Sequence, residues 1–170
     1  MLELDLERPS EEWNNFNAFL KKIPDGCTED LHVQLNGPGG HVNEMIMYLD
    51  FFDRYAGNVT LRCDFELNSA DSVLFLFSNT KKELSPCATC LIHKAYNSCD
   101  CLEYRSKSSY NEFNLKIQID FNEYLSSKFK LILDDEDFKF YESGEDLVLS
   151  GEKLKQVVHR AEKIFWKKRM

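Results

Sequence analysis

Three short segments contain residue types that could take part in catalysis, and the first is Ser69-Ala70-Asp71-Ser72. It stands between a predicted strand and an unbroken apolar run. A serine at such a corner can present its hydroxyl at the rim of a sheet, with the N–H group of the next residue pointing the same way, as in a nucleophile elbow. Ser69 or Ser72 could instead serve only as the N-cap of the helix that follows.

The second segment is the stretch Asn-Gly-Pro-Gly-Gly at residues 36–40, which follows a predicted strand and opens a helix. Glycine allows the backbone to approach a ligand or another chain closely. Exposed N–H groups at the N-terminus of a helix can stabilise an anion. The same stretch could also be a tight turn that binds nothing.

The third segment ends in His93, which closes the apolar strand residues Cys90, Leu91 and Ile92. A neutral imidazole makes a good general base near neutral pH. A single histidine at the end of a strand can equally have a structural role, so the residue alone does not decide between the two.

A cluster of cysteines offers a different chemistry. Cys87, Cys90, Cys99 and Cys101 form a C-x-x-C followed by a C-x-C and could supply four thiolates to a structural zinc ion. Cys87 and Cys90 fall in a predicted strand, however, where residues three apart point to opposite faces. We therefore expect reduced, partly buried thiols in a reducing cytoplasm and keep a zinc module as an alternative.

These candidate residues need a scaffold, and the spacing of apolar residues predicts one. It indicates strands at residues 2–6, 31–35, 59–65 and 87–93, and helices at residues 11–22, 42–52 and 73–77. Repeated strand–helix units predict right-handed crossovers, that is, an α/β fold with a mostly parallel sheet covered by helices. Residues 81–85 are expected to be a polar connection. Loops at the C-terminal ends of parallel strands favour a functional site, and both the serine and the glycine segments are such loops.

The second half of the chain has a less distinct pattern. Residues 110–125 fit both the alternation of a strand and the spacing of a helix, and their length favours the helix. Residues 133–137 are expected to form an acidic turn and residues 146–149 a short strand. A final helix is predicted to follow Ser150.

Composition limits the possible functions. The chain has 170 residues, with 43% hydrophobic and 29% charged, which suits one compact domain. Its net charge of −8 disfavours binding to nucleic acid or to an anionic membrane. No apolar run approaches the ~20 residues that span a bilayer, and the N-terminus lacks a signal-peptide pattern. The expected compartment is the cytoplasm.

In order and spacing, the three segments resemble the proteolytic subunit of Clp-type proteases. That family has a turn of the form N-S-P-G-G, then a turn G-x-A-A-S that carries the nucleophile, and then a proline followed by a strand ending in M-I-H. Here the glycine turn is at residues 36–40, and Pro86 precedes Leu91, Ile92 and His93 by the family's interval. The resemblance covers about residues 30–95 well and extends more loosely to Leu149.

The resemblance implies a single ClpP/crotonase-like domain over residues 1–170, with a core at about 1–95 and an oligomerisation helix and C-terminal part at about 103–170. It also implies a serine-type endopeptidase without a cofactor or metal. The implied residues are Ser69 as nucleophile with Ser72 as alternative, His93 as base, Asp137 as the third member with Asp134 or Asp135 as alternatives, and the N–H groups of Gly40 and Ala70 as the oxyanion hole.

The family also implies partners. A homo-oligomeric ring, which could stack on another ring, would cleave peptides or unfolded proteins and could work with an ATP-dependent unfoldase. One departure favours an alternative, because residues 65–68 are Phe-Glu-Leu-Asn where the family has small residues. A non-catalytic assembly or regulatory subunit of the same fold is therefore the first alternative, and a crotonase-like acyl-thioester enzyme is another.

Overall fold

The computed structural model describes residues 1–6, 15–95 and 108–167. Strands and helices are interspersed through these residues. The strands are β1 (Leu2–Leu6), β2 (Leu31–Leu35), β3 (Val59–Cys63), β4 (Glu66–Asn68), β5 (Lys81–Leu84), β6 (Thr89–Ile92) and β7 (Leu147–Ser150). The helices are α1 (Asn15–Leu20), α2 (Val42–Arg54), α3 (Ala70–Phe77), α4 (Ser108–Ile132), α5 (Asp135–Glu142) and α6 (Gly151–Phe165).

The strands form two sheets. A four-stranded sheet has the order β1-β2-β3-β5, and all of its strands are parallel. A three-stranded sheet has the order β4-β6-β7, in which β4 and β6 are parallel and β7 is antiparallel to β6. The predicted α/β class with a mostly parallel sheet and helices is confirmed.

The chain divides into two compact units. The first contains Met1–Ile92 together with Leu147–Met170, and the second contains His93–Asp146. Both sheets therefore belong to the first unit, as do α1, α2, α3 and α6. The second unit contains α4 and α5.

The core of the first unit lies between the sheets and their helices. Alternate residues of β2 are fully buried at Leu31, Val33 and Leu35, as expected for a strand with one face on the core. The helix predicted at residues 73–77 is α3, and every one of its residues is buried, as suits a run that is apolar on all sides. Phe19 of α1 packs edge-to-face on Tyr48 of α2.

Residues 81–85 were expected to be a polar connection, and that prediction is wrong. Residues Lys81–Leu84 form β5, which pairs in parallel with β3. The cause lies at Lys82, whose side chain is buried while its ammonium group donates to the carbonyl oxygens of Ser78 and Thr80. Because these carbonyl oxygens accept hydrogen bonds from the buried ammonium group, a segment of polar residues can form an edge strand.

The strand predicted over residues 59–65 is also corrected, because it ends at Cys63. The Asn36 side chain causes the break, since its Oδ1 accepts the backbone N–H groups of both Asp64 and Phe65, at 2.9 and 3.0 Å. Those two N–H groups are directed to a side chain rather than to a strand. The chain then enters β4 in the second sheet.

The second unit contains the helix that the sequence left ambiguous. Residues 110–125 are helical, and α4 extends on to Ile132. The expected acidic turn at residues 133–137 is instead the start of α5, where the Asp134 side chain accepts the N–H of Asp137. Three acidic residues in the first turn of α5 are favoured by the helix dipole. Phe129 of α4 and Tyr141 of α5 are fully buried against each other.

The remaining elements agree with the sequence pattern except for the strand predicted at residues 87–93, because β6 begins at Thr89 and Cys87 lies in the turn before it. The helix predicted at residues 11–22 is α1, and its predicted start lies outside the described residues. The strand predicted at residues 146–149 is β7, and α6 follows Ser150. Among the helices described, we find none with the length and apolar character needed to cross a membrane.

Candidate functional site

Ser69 stands between β4 and α3 in a strained backbone conformation. Its φ of 54° and ψ of −120° lie outside the regions that side chains readily adopt, and among the described residues it is the only one other than glycine with a positive φ. Such a conformation costs on the order of 1–3 kcal/mol and tends to occur at functional sites. The backbone is held there by the Ser69 N–H, which donates to Leu91 O of β6 at 2.9 Å.

The Ser69 side chain does not cap the helix. It makes no cap hydrogen bond, although Ser69 occupies the N-cap position of α3, and the residue is half-buried. Ser72 is different, because it is fully buried and its Oγ donates to Ser69 O at 2.6 Å. The burial of Ser72 leaves Ser69 as the serine of this segment that a substrate could reach.

The structure brings the glycine turn and the serine corner together. Gly39 has a φ of 100°, and a Cβ on it would lie 2.6 Å from Ser69 Cβ and 2.8 Å from Asn68 O. The turn also pairs with β4, since the Gly37 N–H donates to Glu66 O and the Asn68 N–H donates to Gly37 O, each at 3.0 Å. Two segments thirty residues apart in the sequence therefore form one local structure.

Asp71 joins the two segments through a buried hydrogen bond. Its side chain is fully buried, and its Oδ2 accepts the Gly39 N–H at 3.1 Å. The Gly39 amide is thereby occupied, whereas the adjacent Gly40 is exposed. Ala70 is the first residue of α3, where N–H groups have no partner within the helix and the dipole favours negative charge.

This arrangement can stabilise charge that develops on an acyl oxygen. Oxyanion sites for acyl transfer are built from a hydroxyl on a strained corner, a glycine turn and the start of a helix, and Ser69, the exposed residue Gly40 and Ala70 are of those kinds. All of them lie in the first unit.

His93 directly follows β6 and belongs to the second unit. It is half-buried, and its Nδ1 lies 2.7 Å from Lys94 O. Because a carbonyl oxygen only accepts, Nδ1 carries the hydrogen in this bond, and a neutral ring then has its lone pair on Nε2. The tautomer therefore suits a general base that acts through Nε2.

The three candidate carboxylates differ in burial. Asp134 and Asp135 are exposed at the start of α5, whereas Asp137 is 4% exposed. The Asp137 N–H donates to Asp134 Oδ1 at 2.9 Å, so Asp134 serves as the helix cap. Asp137 is thus the carboxylate whose surroundings resemble those of a buried orienting group, and it lies with His93 in the second unit.

The cysteines that suggested zinc fall in different environments. Cys87 is exposed and Cys90 is fully buried, while Cys99 and Cys101 lie outside the described residues. Burial raises the pKa of Cys90, which favours the neutral thiol over the thiolate that binds metal. In the part of the chain that the structure describes, no group of three or more His, Cys, Asp or Glu residues could hold a metal ion.

The bulky residues ahead of the serine point in different directions. Leu67 is fully buried in β4, and Phe65 is 67% exposed. Sequence reasoning did not assign a role to Asp71. The available signal was a lone aspartate at the start of an otherwise apolar helix, where a charge is costly to bury.

No protein-family model matches this sequence, and no curated protein matches it at a significant level.

Proposed function

We propose that the protein is a serine peptidase of the kind found in Clp-type proteases, with Ser69 as its nucleophile. The observation that carries the proposal is the strained conformation of Ser69 at a strand-to-helix corner, with a glycine turn packed against it. Strain of this kind is retained when it aims a side chain. The Ser69 side chain makes no capping hydrogen bond at the start of α3, which supports the same role.

In the proposed reaction, Ser69 Oγ attacks a peptide carbonyl and an acyl-enzyme forms as the amine leaves. The developing oxyanion is bound by the N–H groups of Gly40 and Ala70, and one such donor is worth roughly 3–4 kcal/mol of barrier. Water then hydrolyses the ester and regenerates the serine.

The resemblance assigns the remaining roles. His93 would take the Ser69 proton and later pass it to the leaving amine. Asp137, as the third member, would hold the tautomer only by replacing Lys94 O as the acceptor of the Nδ1 hydrogen. The Nδ1 hydrogen bond of His93 to Lys94 O supports a basic Nε2. No cofactor or metal is part of the proposal.

The proposed substrates are peptides or unfolded proteins, and the proposed assembly is a homo-oligomeric ring that could stack and work with an ATP-dependent unfoldase. Exposed apolar side chains on α4 support self-association, because Leu115, Ile117 and Ile119 are each about half exposed and lie on more than one face of the helix. The proposed compartment is a reducing one such as the cytoplasm, and the buried free thiols of Cys63 and Cys90 are consistent with it.

Active-site labelling tests the proposal. A fluorophosphonate should form a covalent adduct on the native protein, and peptide mapping should place it on Ser69. Ser69→Ala should abolish the adduct, and Ser72→Ala should retain it because the buried Ser72 hydroxyl is not reached. If the folded native protein takes no label, the peptidase proposal fails and the non-catalytic assembly subunit is favoured.

A further inference from the structure

Asp71 is an ionisable side chain at an unusual position. It is fully buried in α3, a helix whose other residues are apolar except for Ser72. Aspartate is almost never fully buried without partners, because an unpaired buried carboxylate is strongly destabilising. The first turn of a helix favours a negative charge, but that preference alone does not require a fully buried aspartate. The contact that Asp71 makes is therefore the feature that distinguishes it.

That contact is with the inner side of the glycine turn. Asp71 Oδ2 accepts the Gly39 N–H at 3.1 Å, and a Cβ on Gly37 would lie 2.5 Å from the same oxygen. The carboxylate therefore fills the curve of the turn between Gly37 and Gly39. A side chain at Gly37 would push Oδ2 away from the Gly39 amide.

We propose that Asp71 is a positioning residue for the oxyanion site, which it serves by fixing the glycine turn; the role rests on the proposed function of Ser69. The Gly39 N–H lies in the peptide plane that joins Pro38 to Gly39, and the Gly40 N–H lies in the next plane. The hydrogen bond fixes the first plane and the Gly39 Cα from which the second plane begins, and it thereby limits where the Gly40 N–H points. A donor displaced by a fraction of an ångström stabilises the oxyanion less. Asp71 acts through Gly40 and does not touch the substrate.

The first experiment measures the modification of Ser69 by a fluorophosphonate, in which Oγ forms a bond to phosphorus and fluoride leaves, and separates reagent binding from the maximal rate of modification. Asp71→Ala should lower the maximal rate by about tenfold to a hundredfold, since losing an oxyanion donor altogether costs about a hundredfold or more, and should leave reagent binding unchanged. Asp71→Asn retains an acceptor for the Gly39 amide and should restore most of the rate.

The matched control is Ser78→Ala. Ser78 lies at the other end of α3, is buried, and its Oγ shares a hydrogen bond of 2.8 Å with Thr80 Oγ1. Loss of this hydrogen bond should lower the free energy of unfolding and leave the maximal rate of Ser69 modification unchanged within about twofold. An equal loss of rate in Ser78→Ala and Asp71→Ala would show a merely structural effect and overturn the proposal.

A second experiment tests the contact between Asp71 and the glycine turn without removing the Asp71 carboxyl group. Gly37→Ala should displace the Asp71 carboxylate and lower the maximal rate of Ser69 modification by a similar factor. In the Asp71→Ala background, which has room for the added methyl group, Gly37→Ala should cause little further loss. Additive losses would overturn the proposal, and Gly37→Ala keeps it testable if Asp71→Ala does not fold.

The two proposals fail in different ways. If the wild-type protein takes no label, the peptidase function fails, and the role of Asp71 in it fails too. If the wild-type protein is labelled at Ser69 and Asp71→Ala is labelled at the wild-type rate, only the role of Asp71 is overturned.

Discussion

Gly39 lies so close to Ser69 that no side chain fits between them: a Cβ on Gly39 would come within 2.6 Å of Ser69 Cβ. Gly39 also has a φ of 100°, which favours glycine for a second, independent reason. The contact ties the turn after β2 to the corner after β4. Both proposed oxyanion donors, at Gly40 and Ala70, depend on it for their relative position.

Gly39→Ala should therefore lower both the free energy of unfolding and the labelling of Ser69 by a fluorophosphonate. Gly26 is a matched control, because it has a φ of 71° but has open space where a Cβ would be. Gly26→Ala introduces backbone strain alone, whereas Gly39→Ala adds an overlap with Ser69 and Asn68. We expect Gly39→Ala to lower the free energy of unfolding by about 1–3 kcal/mol more than Gly26→Ala, measured by urea denaturation. Fluorophosphonate labelling should be lost only in Gly39→Ala, and equal effects of the two variants would contradict the packing.

The parts of the fold that the sequence predicted are those in which local pattern and tertiary environment agree. The run Val73–Phe77 is apolar on every side, so only a buried helix or strand could contain it, and α3 is fully buried. The alternation in β1 and β2 predicted strands of the correct length, because each has one face on the core.

The parts that the sequence did not predict depend on distant partners. The break between β3 and β4 is caused by Asn36, which lies almost thirty residues earlier and binds two backbone N–H groups there. The strand β5 depends on its parallel pairing with β3, in which Lys82 lies beside Leu61. At the candidate site, the sequence identified Ser69 and the glycine turn. It offered Asp71 only as a lone acidic residue at the start of an apolar run, and nothing local indicated that its partner is Gly39, 32 positions earlier.

Lys82 should make stability depend on alkaline pH. Burial lowers the pKa of its ammonium group from 10.5 to about 8, and Glu162 partly opposes the shift. Between those values the unfolded chain binds more protons than the folded protein, so the contribution of Lys82 to the free energy of unfolding rises with pH, by about 3 kcal/mol over the whole window. The difference in free energy of unfolding between wild type and Lys82→Met, measured from pH 7 to 10.5, should show this rise.

Lys81→Met is the control for this titration, because Lys81 is its neighbour in β5 and its side chain is 51% exposed. The difference between wild type and Lys81→Met should stay nearly constant over the same range. A constant difference for Lys82→Met as well would contradict the burial of the Lys82 ammonium.

The thiols should react according to their burial. Burial raises the pKa of Cys63 to about 11, which lowers its thiolate fraction at pH 8 by about a hundredfold relative to an ordinary thiol. Burial raises the pKa of Cys90 as well, and that residue is 0% exposed. Alkylation of the native protein at pH 8, mapped by mass spectrometry, should modify the exposed Cys87 and spare Cys63 and Cys90 until urea is added. Rapid modification of Cys90 in the native protein would contradict its place in the core.

The exposed apolar side chains of α4 should contribute to self-association. Ile117 is 51% exposed, so Ile117→Glu should not disturb a core but would place an unpaired charge in any interface that covers the helix. We expect it to weaken assembly by about tenfold or more, seen as a lower mass by light scattering at micromolar concentration, with helicity unchanged by circular dichroism. Lys116→Glu changes the charge at the exposed neighbouring position and should leave the mass unchanged. A wild-type protein that is monomeric, or an Ile117→Glu variant that assembles normally, would show that α4 is not an assembly surface.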